Sequence, residues 1–391
     1  MKLHDFLDKA RLFLFVPMRA LYWPFMLCPV KRDKVVFSNF NGRGYGCNPK
    51  YICEALRKSG EKLDLVWLTG CRGSLPKDVR HVEMKSFRAL WELATAKIWV
   101  CNNRLPYYVD KKKGQYYVHT WHGCLGFKRI EKDIKGQPLY YILRSKHDSK
   151  MIDLLTMNSR MASDYFRHCF YYDGPILEVG TPRNDLIVNR DMTAYRKVRD
   201  FFHIPQDTKI LIYPPTFRQS QDLSVYRLSF QKIIQALQKR YGGNWVVLVR
   251  LHPVVANRAG SLEYSDVVLN ASKYDDMQEL LSGSDFMIND FSSGLIDFIL
   301  SKKPAVFYAP DYDEYHRKDR APFLSIESLP CPLTMTEADM LHAIEHFDED
   351  NTYADKLDDF FNYVGLNETG HASESVAQLI LDKIKNDNYV Q

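Results

Sequence analysis

From Lys34 onward, short apolar runs alternate with stretches whose apolar residues recur every three or four positions. In the first half, the runs Val35–Phe40, Leu63–Leu68, Lys97–Cys101, Tyr116–Thr120, Leu154–Asn158 and Ile176–Val179 predict strands, with helices at Pro49–Ser59, Phe87–Ala94 and Met161–Phe170. The second half repeats the scheme. Strands are predicted at Ile210–Tyr213, Trp245–Leu251, Val267–Leu269, Phe286–Asn289 and Ala305–Tyr308, and helices at Ser229–Tyr241, Met277–Ser282, Ser293–Ser301 and Ala338–Phe347. Apolar strands alternating with helices imply parallel sheets covered on both faces, hence an α/β fold. The polar stretch Asn189–Asp200 reads as a linker. The expectation is therefore two doubly wound, Rossmann-like domains facing a cleft, over residues 34–188 and 201–385, and a chain of 391 residues suits that count.

Residues 1–33 read differently. The run from Leu12 to Cys28 is too short to span a bilayer and is interrupted by Pro17, Arg19 and Pro24. Asp5 and Asp8, with no small-residue cleavage site, argue against a signal peptide. Phe13, Phe15, Tyr22, Trp23 and Phe25 among cations suit an amphipathic helix lying on a membrane surface; the alternative is a helix packed on the folded body. Charge supports the first reading. Residues 1–34 hold seven Lys/Arg against three Asp, and the rest of the chain is balanced at 46 against 45. A basic pole on a neutral body points to anionic lipid at the cytoplasmic face of a membrane and not to nucleic acid. The composition, 46% hydrophobic and 26% charged, excludes disorder. Eight cysteines without paired spacing read as reduced, buried thiols, with no metal site expected.

Ligands of such sheets bind beyond the carboxyl ends of strands, and four strand ends carry polar clusters. His119-Thr-Trp-His122-Gly123 offers an imidazole for proton transfer and a glycine that lets a substrate approach. Arg250-Leu-His252-Pro253 places two cationic groups on one strand face, suited to a diphosphate. Asn289-Asp290-Phe291-Ser292-Ser293-Gly294 leads into a helix whose start Ser292 and Ser293 would cap, forming an anion site. Tyr213-Pro-Pro-Thr216-Phe-Arg218 puts Thr216 and Arg218 on a loop lining the cleft, an exposed loop arginine being the plainer reading. No GxGxxG follows a strand, no GxxxxGK[ST] is present, and no GxSxG elbow occurs. Nicotinamide, P-loop and serine-hydrolase chemistry are thereby disfavoured.

Together these segments resemble the CDP-glycerol glycerophosphotransferases that build teichoic acids. The carriers are FNGRGYGCNPKYICEAL (40–56), NNRLPYYVDKKKGQYYVHTWHG (102–123), MNSR (157–160), VGTPRND (179–185), YPPTFR (213–218), LVRLHP (248–253), DDMQELLSGSDFMINDFSSGLIDF (275–298) and ASESV (372–376). The resemblance implies a GT-B-like fold, CDP-glycerol bound mainly in the second domain, and a lipid-linked saccharide acceptor entering against the first. It further implies that His122 is the catalytic base and that His252 serves the donor phosphates. Arg250, Ser292, Ser293, Thr216 and Arg218 would line the donor site. No cofactor is required on this reading, although Mg2+ is compatible with it. Where the family commonly has Gln-Thr-Trp-His-Gly-Thr-Pro-Leu-Lys, this chain has His119 and then Cys124 and Leu125, a change that bears on the acceptor and the polyol. Alternatives on the same architecture are a CDP-ribitol or nucleotide-sugar transferase and a nucleotide-sugar epimerase; a non-catalytic membrane scaffold has no use for the polar strand ends. The whole reading holds His122 and His252 to converge on one nucleotide diphosphate.

Overall fold

The structure, a computed structural model, describes residue 13 and residues 17–70, 73, 75–123, 125, 128–218, 226–252, 255, 262–318 and 323–386. The chain divides into two units. The first is drawn from Met1–Cys124, Ile130–Asp185 and Asn367–Gln391, the second from Leu125–Arg129 and Leu186–Leu366.

The first unit is built on seven strands: β1 (Lys31–Ser38), β2 (Asp64–Thr69), β3 (Arg80–Glu83), β4 (Ala96–Cys101), β5 (Tyr116–His119), β6 (Leu154–Met157) and β7 (Ile176–Glu178). Their order is β3-β2-β1-β4-β5-β6-β7, every pairing parallel. The second unit has β8 (Lys209–Tyr213), β9 (Trp245–Val249), β10 (Val268–Asn270), β11 (Phe286–Asn289), β12 (Ala305–Tyr308) and β13 (Leu333–Thr334), in the order β10-β9-β8-β11-β12-β13, again all parallel. Each sheet winds outward from its first strand and then reverses, so each has a switch point: β1/β4 in one, β8/β11 in the other. The Rossmann-like, doubly wound reading holds for both units. Two strands lacked a hydrophobic signature. β3 buries only Val82, and β13 is two residues long.

Alternation along the strands serves two cores. Val36, Val66 and Trp99 face helices Phe87–Thr95 and Arg160–Cys169. Val35, Phe37, Trp67 and Ile98 face helix Cys47–Lys58 and, beside it, Val376, Ala377, Ile380 and Leu381 of the last helix, Ala372–Asn386. That helix was expected within 201–385, yet its apolar stripe completes the first unit's core. The expected linker is also corrected. Residues Met192–Phe202 form a helix of the second unit, capped by the Asp191 side chain on the Thr193 amide. Its Val198 lies against Gly283, where a Cβ would approach within 3.1 Å, and its buried Arg199 donates to the carbonyls of Gly283 and Thr208. A buried arginine made the segment look solvent-facing.

Residues 17–26 are helical, with Tyr22 buried and its hydroxyl donating to the Asp110 carbonyl, while Leu21, Trp23 and Leu27 stay exposed. Residues 1–12 and 14–16 of the expected amphipathic segment lie outside the described residues, as do Pro253, Cys71 and Cys124. Among the described residues, no helix is long and apolar enough to cross a membrane. Cys47, Cys53, Cys101, Cys169 and Cys331 are buried free thiols.

Candidate active site

At the first switch point the loops leaving β1 and β4 are tied by two amides. Asn102 Nδ2 donates to Asn39 Oδ1 at 2.7 Å, and its Oδ1 accepts from the Phe40 amide at 2.8 Å. The carbonyl of the same Asn102 lies 2.8 Å from His122 Nδ1. A carbonyl can only accept, so Nδ1 carries the proton and Nε2 presents a lone pair. The ring is half-buried, stacked on Trp121 at 4.2 Å and flanked by Phe40 at 5.1 Å. Burial lowers its pKa to about 4, against the opposing bond to Asn102, with the Arg183 charge acting in the same sense as burial. The imidazole is therefore neutral at physiological pH.

Below Trp121 lies a buried ionic cluster. Phe170 meets the Trp121 ring edge-on at 4.9 Å and takes the Arg104 guanidinium over its face at 3.5 Å. Arg104 donates to Asp148 (3.1 Å), Ser149 (2.7 Å), Glu131 (3.2 Å) and the Phe170 carbonyl (3.2 Å). His119 is fully buried among Tyr117, Trp121 and Phe170, with its Nδ1 accepting from the Trp121 amide. Its departure from the family pattern is thus an interior change.

In the second unit the switch point β8/β11 is closed by Asp290. Its carboxylate accepts from the Thr216 amide (2.8 Å) and hydroxyl and from Arg218 (2.9 Å), while Arg218 also grips Asp311 through Nε (2.6 Å) and a second nitrogen (3.0 Å). One strand outward, β9 ends at Val249, so Arg250 and His252 stand on the turn after the strand and not on its face. The Arg250 amide donates to the Tyr213 carbonyl at 3.0 Å. Its guanidinium reaches the Asp275 carbonyl only at 3.5 Å, and one terminal nitrogen is buried with no hydrogen-bond partner among the described residues. Burial lowers its pKa, opposed by Asp276 and Asp275. A half-buried guanidinium with donor capacity in reserve is suited to an anionic ligand. His252 is exposed beside Phe217, ring centres 5.7 Å apart. Ser292 Oγ accepts from the Gly294 amide at 3.2 Å, whereas Ser293, expected to cap with it, stands at the N-cap in a helical backbone and makes no side-chain cap bond; the helix that follows, Gly294–Ile299, is shorter than expected. Ser292, Ser293 and, in the first unit, Gly123 are half-buried.

A model of the CDP-Glycerol:Poly(glycerophosphate) glycerophosphotransferase family matches residues 21–382. The chain belongs to this family. It is 31% identical over 372 residues to the teichoic acid poly(glycerol phosphate) polymerase of Staphylococcus epidermidis, covering 91% of this chain and 51% of that one. It is 29% identical over 385 residues to the teichoic acid glycerol-phosphate transferase of Staphylococcus aureus, covering 92% and 96%. The chain thus spans about half the length of some polymerases it matches, at 51% and 50% of two of them, and nearly all of the shorter transferase. Among solved structures, a variant of the wall teichoic acid polymerase TagF soaked with CDPG superposes with a TM-score of 0.83 at 28% identity, covering 99% of each chain.

In this glycerophosphotransferase-family chain the candidate site residues fall into two groups. His122 and Arg250 hold hydrogen-bonding capacity in reserve, and His252 is exposed at its strand end. Thr216, Arg218 and Asp290 come together with one another: all three are buried, and Arg218 is neither an exposed loop arginine nor an unpaired cation. They set the loop after β8 and do not lie open on it. Sequence reasoning passed over Asn39, Asn48, Asn102 and Arg183, which contact or brace the His122 segment. Each stands within a segment carrying the family resemblance or at a strand end, which was the available signal.

Proposed function

We propose that this protein transfers glycerol phosphate from CDP-glycerol to a hydroxyl of a lipid-linked saccharide or polyol-phosphate acceptor, with release of CMP. The observation carrying this reading is the fixed tautomer of His122. With Nδ1–H committed to the Asn102 carbonyl, Nε2 is a base held ready for a hydroxyl proton. The acceptor oxygen bonds to the phosphorus bearing glycerol, its proton passes to His122 Nε2, and the bond from that phosphorus to the bridging oxygen of CMP breaks. Arg250, His252 and the Ser292/Ser293 turn meet the charge of the diphosphate, acting as a preorganised electrostatic site. These groups answer the donor's charge, so no cofactor is assigned; activity after EDTA treatment and on Mg2+ addition checks that point.

His122→Ala is expected to lose about 10²–10⁴ in turnover, the usual worth of a positioned base. CDP-glycerol binding by calorimetry should persist; parallel loss of binding would refute the base assignment. A panel of CDP-polyols with lipid-linked acceptors, read by product mass, separates glycerol from ribitol transfer, and UDP-sugars in the same panel test the sugar-transferase reading.

The basic amino terminus would hold the enzyme on the membrane that carries its acceptor. Exposed Trp23 and Leu27, at 63% and 72% of their surface, support that reading. Replacing both with serine should reduce partition onto vesicles containing anionic lipid, and unchanged partition would count against it.

A further inference from the structure

We propose that Asn48 and Arg183 are positioning residues for His122, holding the carbonyls of three successive residues and thereby fixing the imidazole on Asn102. Asn48 is the second residue of helix Cys47–Lys58 and is fully buried. Its Nδ2 donates to the carbonyls of Thr120 (3.2 Å) and Trp121 (3.1 Å), and its Oδ1 accepts from the Arg183 amide at 3.1 Å. Arg183, in the single 3-10 turn after β7, donates through its guanidinium to the His122 carbonyl at 2.6 Å and to Cys47 Sγ at 3.4 Å. Two residues from distant segments, joined through the Arg183 amide and Asn48 Oδ1, thus grip residues 120, 121 and 122 in turn.

The grip has something to restrain. Trp121 has φ +50°, a left-handed conformation that a bulky side chain keeps only when its surroundings over-determine it. The Trp121 ring is the surface on which His122 stacks. If the turn relaxed, the imidazole would leave both the stack and the Asn102 carbonyl.

Arg183 also contributes charge. A cation beside an imidazole favours the neutral ring, and Glu131 works in the opposite sense. Losing the guanidinium should therefore raise the His122 pKa toward the ordinary histidine value.

The proposal rests on His122 being the base, and the test separates the two. In the full chain, the His122 ring is titrated by NMR, and kcat and KM for CDP-glycerol are measured from about pH 3 to 8 in the wild type, Arg183→Gln, Arg183→Lys and Asn48→Ser. Arg183→Gln should lower kcat by up to about 10²-fold with KM for CDP-glycerol unchanged, the effect of a misplaced catalytic group. It should raise the ring pKa by about one unit, moving the acidic limb of kcat/KM with it. Arg183→Lys, which keeps the charge, should return the limb and part of kcat. Asn48→Ser should lower kcat without moving the limb. A wild-type ring pKa and kcat in Arg183→Gln would overturn the proposal, as would loss confined to thermal stability. Should Arg183→Gln not fold, wild-type kcat in Asn48→Ser overturns it alone. Full turnover in His122→Ala would instead remove the base reading, with the NMR titration still reporting the hold of Arg183 on the ring.

Discussion

Replacing Arg104 with leucine removes a cation bonded to two fully buried carboxylates, Glu131 and Asp148. The guanidinium is 1% exposed and donates to four oxygens, so solvent cannot substitute for it. Removing one partner of a buried pair typically costs about 3–5 kcal/mol, because the remaining charge is left without compensation. For a unit of roughly 200 residues, each kcal/mol moves the melting temperature by about 2–4 °C, so a loss near 10 °C is expected. Differential scanning calorimetry reads it, and hydrogen exchange in helix Leu139–Met151 localises it to the element bearing Asp148. The pH dependence gives an independent check. Burial already raises the Asp148 pKa, and Arg104 pulls it back down. Without Arg104 the carboxyl rises further, so its penalty applies above the new pKa and is relieved as falling pH protonates it. The deficit at pH 7.5 should therefore shrink at pH 5.5. A loss below about 2 °C, or a deficit equal at both pH values, would refute the claim that uncompensated buried charge governs this site.

Four further outcomes are expected. The acidic limb of kcat/KM in the wild type should lie near pH 4, well below that of an ordinary histidine, because a depressed imidazole pKa keeps the base neutral until then; a limb near 6.5 contradicts the burial of His122. Arg250→Ala should raise KM for CDP-glycerol with little change in melting temperature, since one of its terminal nitrogens has no described partner; a drop in stability with unchanged KM would reassign it to the scaffold. Glu368 accepts from the Thr181 amide and from Asn158 and Asn184, yet burial lifts its pKa to about 7. A raised carboxyl pKa stabilises the fold below the unfolded value and loses that contribution as pH rises through about 7, so Glu368→Gln should flatten the decline in melting temperature between pH 5 and 8. Ile380→Ala, at a fully buried position, should cost about 2–5 kcal/mol and release the first unit's core, read by exchange at β1 and β2.

The sequence displayed the sheets well because parallel strands buried on both faces leave uninterrupted apolar runs, such as Trp245–Val249. It hid helices that bury polar groups. Leu139–Met151 turns Ser145, Asp148 and Ser149 inward to meet Arg104, so its apolar periodicity is weak where its packing is strong. Met192–Phe202 was obscured in the same way by Arg199. At the site, the strand-end rule led to His122, Arg250 and Asp290. It could not show that Arg218 would be consumed by Asp290 and Asp311, because partners remote in sequence leave no local trace. Asn48, Asn102 and Arg183 around His122 were missed for a related reason: they act through main-chain carbonyls, which every residue has.

The helix Ala372–Asn386 supplies Val376, Ala377, Ile380 and Leu381 to a core whose strands begin at Lys31. During translation the first sheet emerges early, but its hydrophobic interior has no lid until the ribosome has made Ala372–Asn386. Residues 186–366 are contiguous and can finish folding while the earlier unit still waits. The second unit thus has all its residues on hand before the first one does. A nascent chain stalled before Ala372 would carry an open apolar face on its older half, exposed to chaperones for as long as the stall lasts.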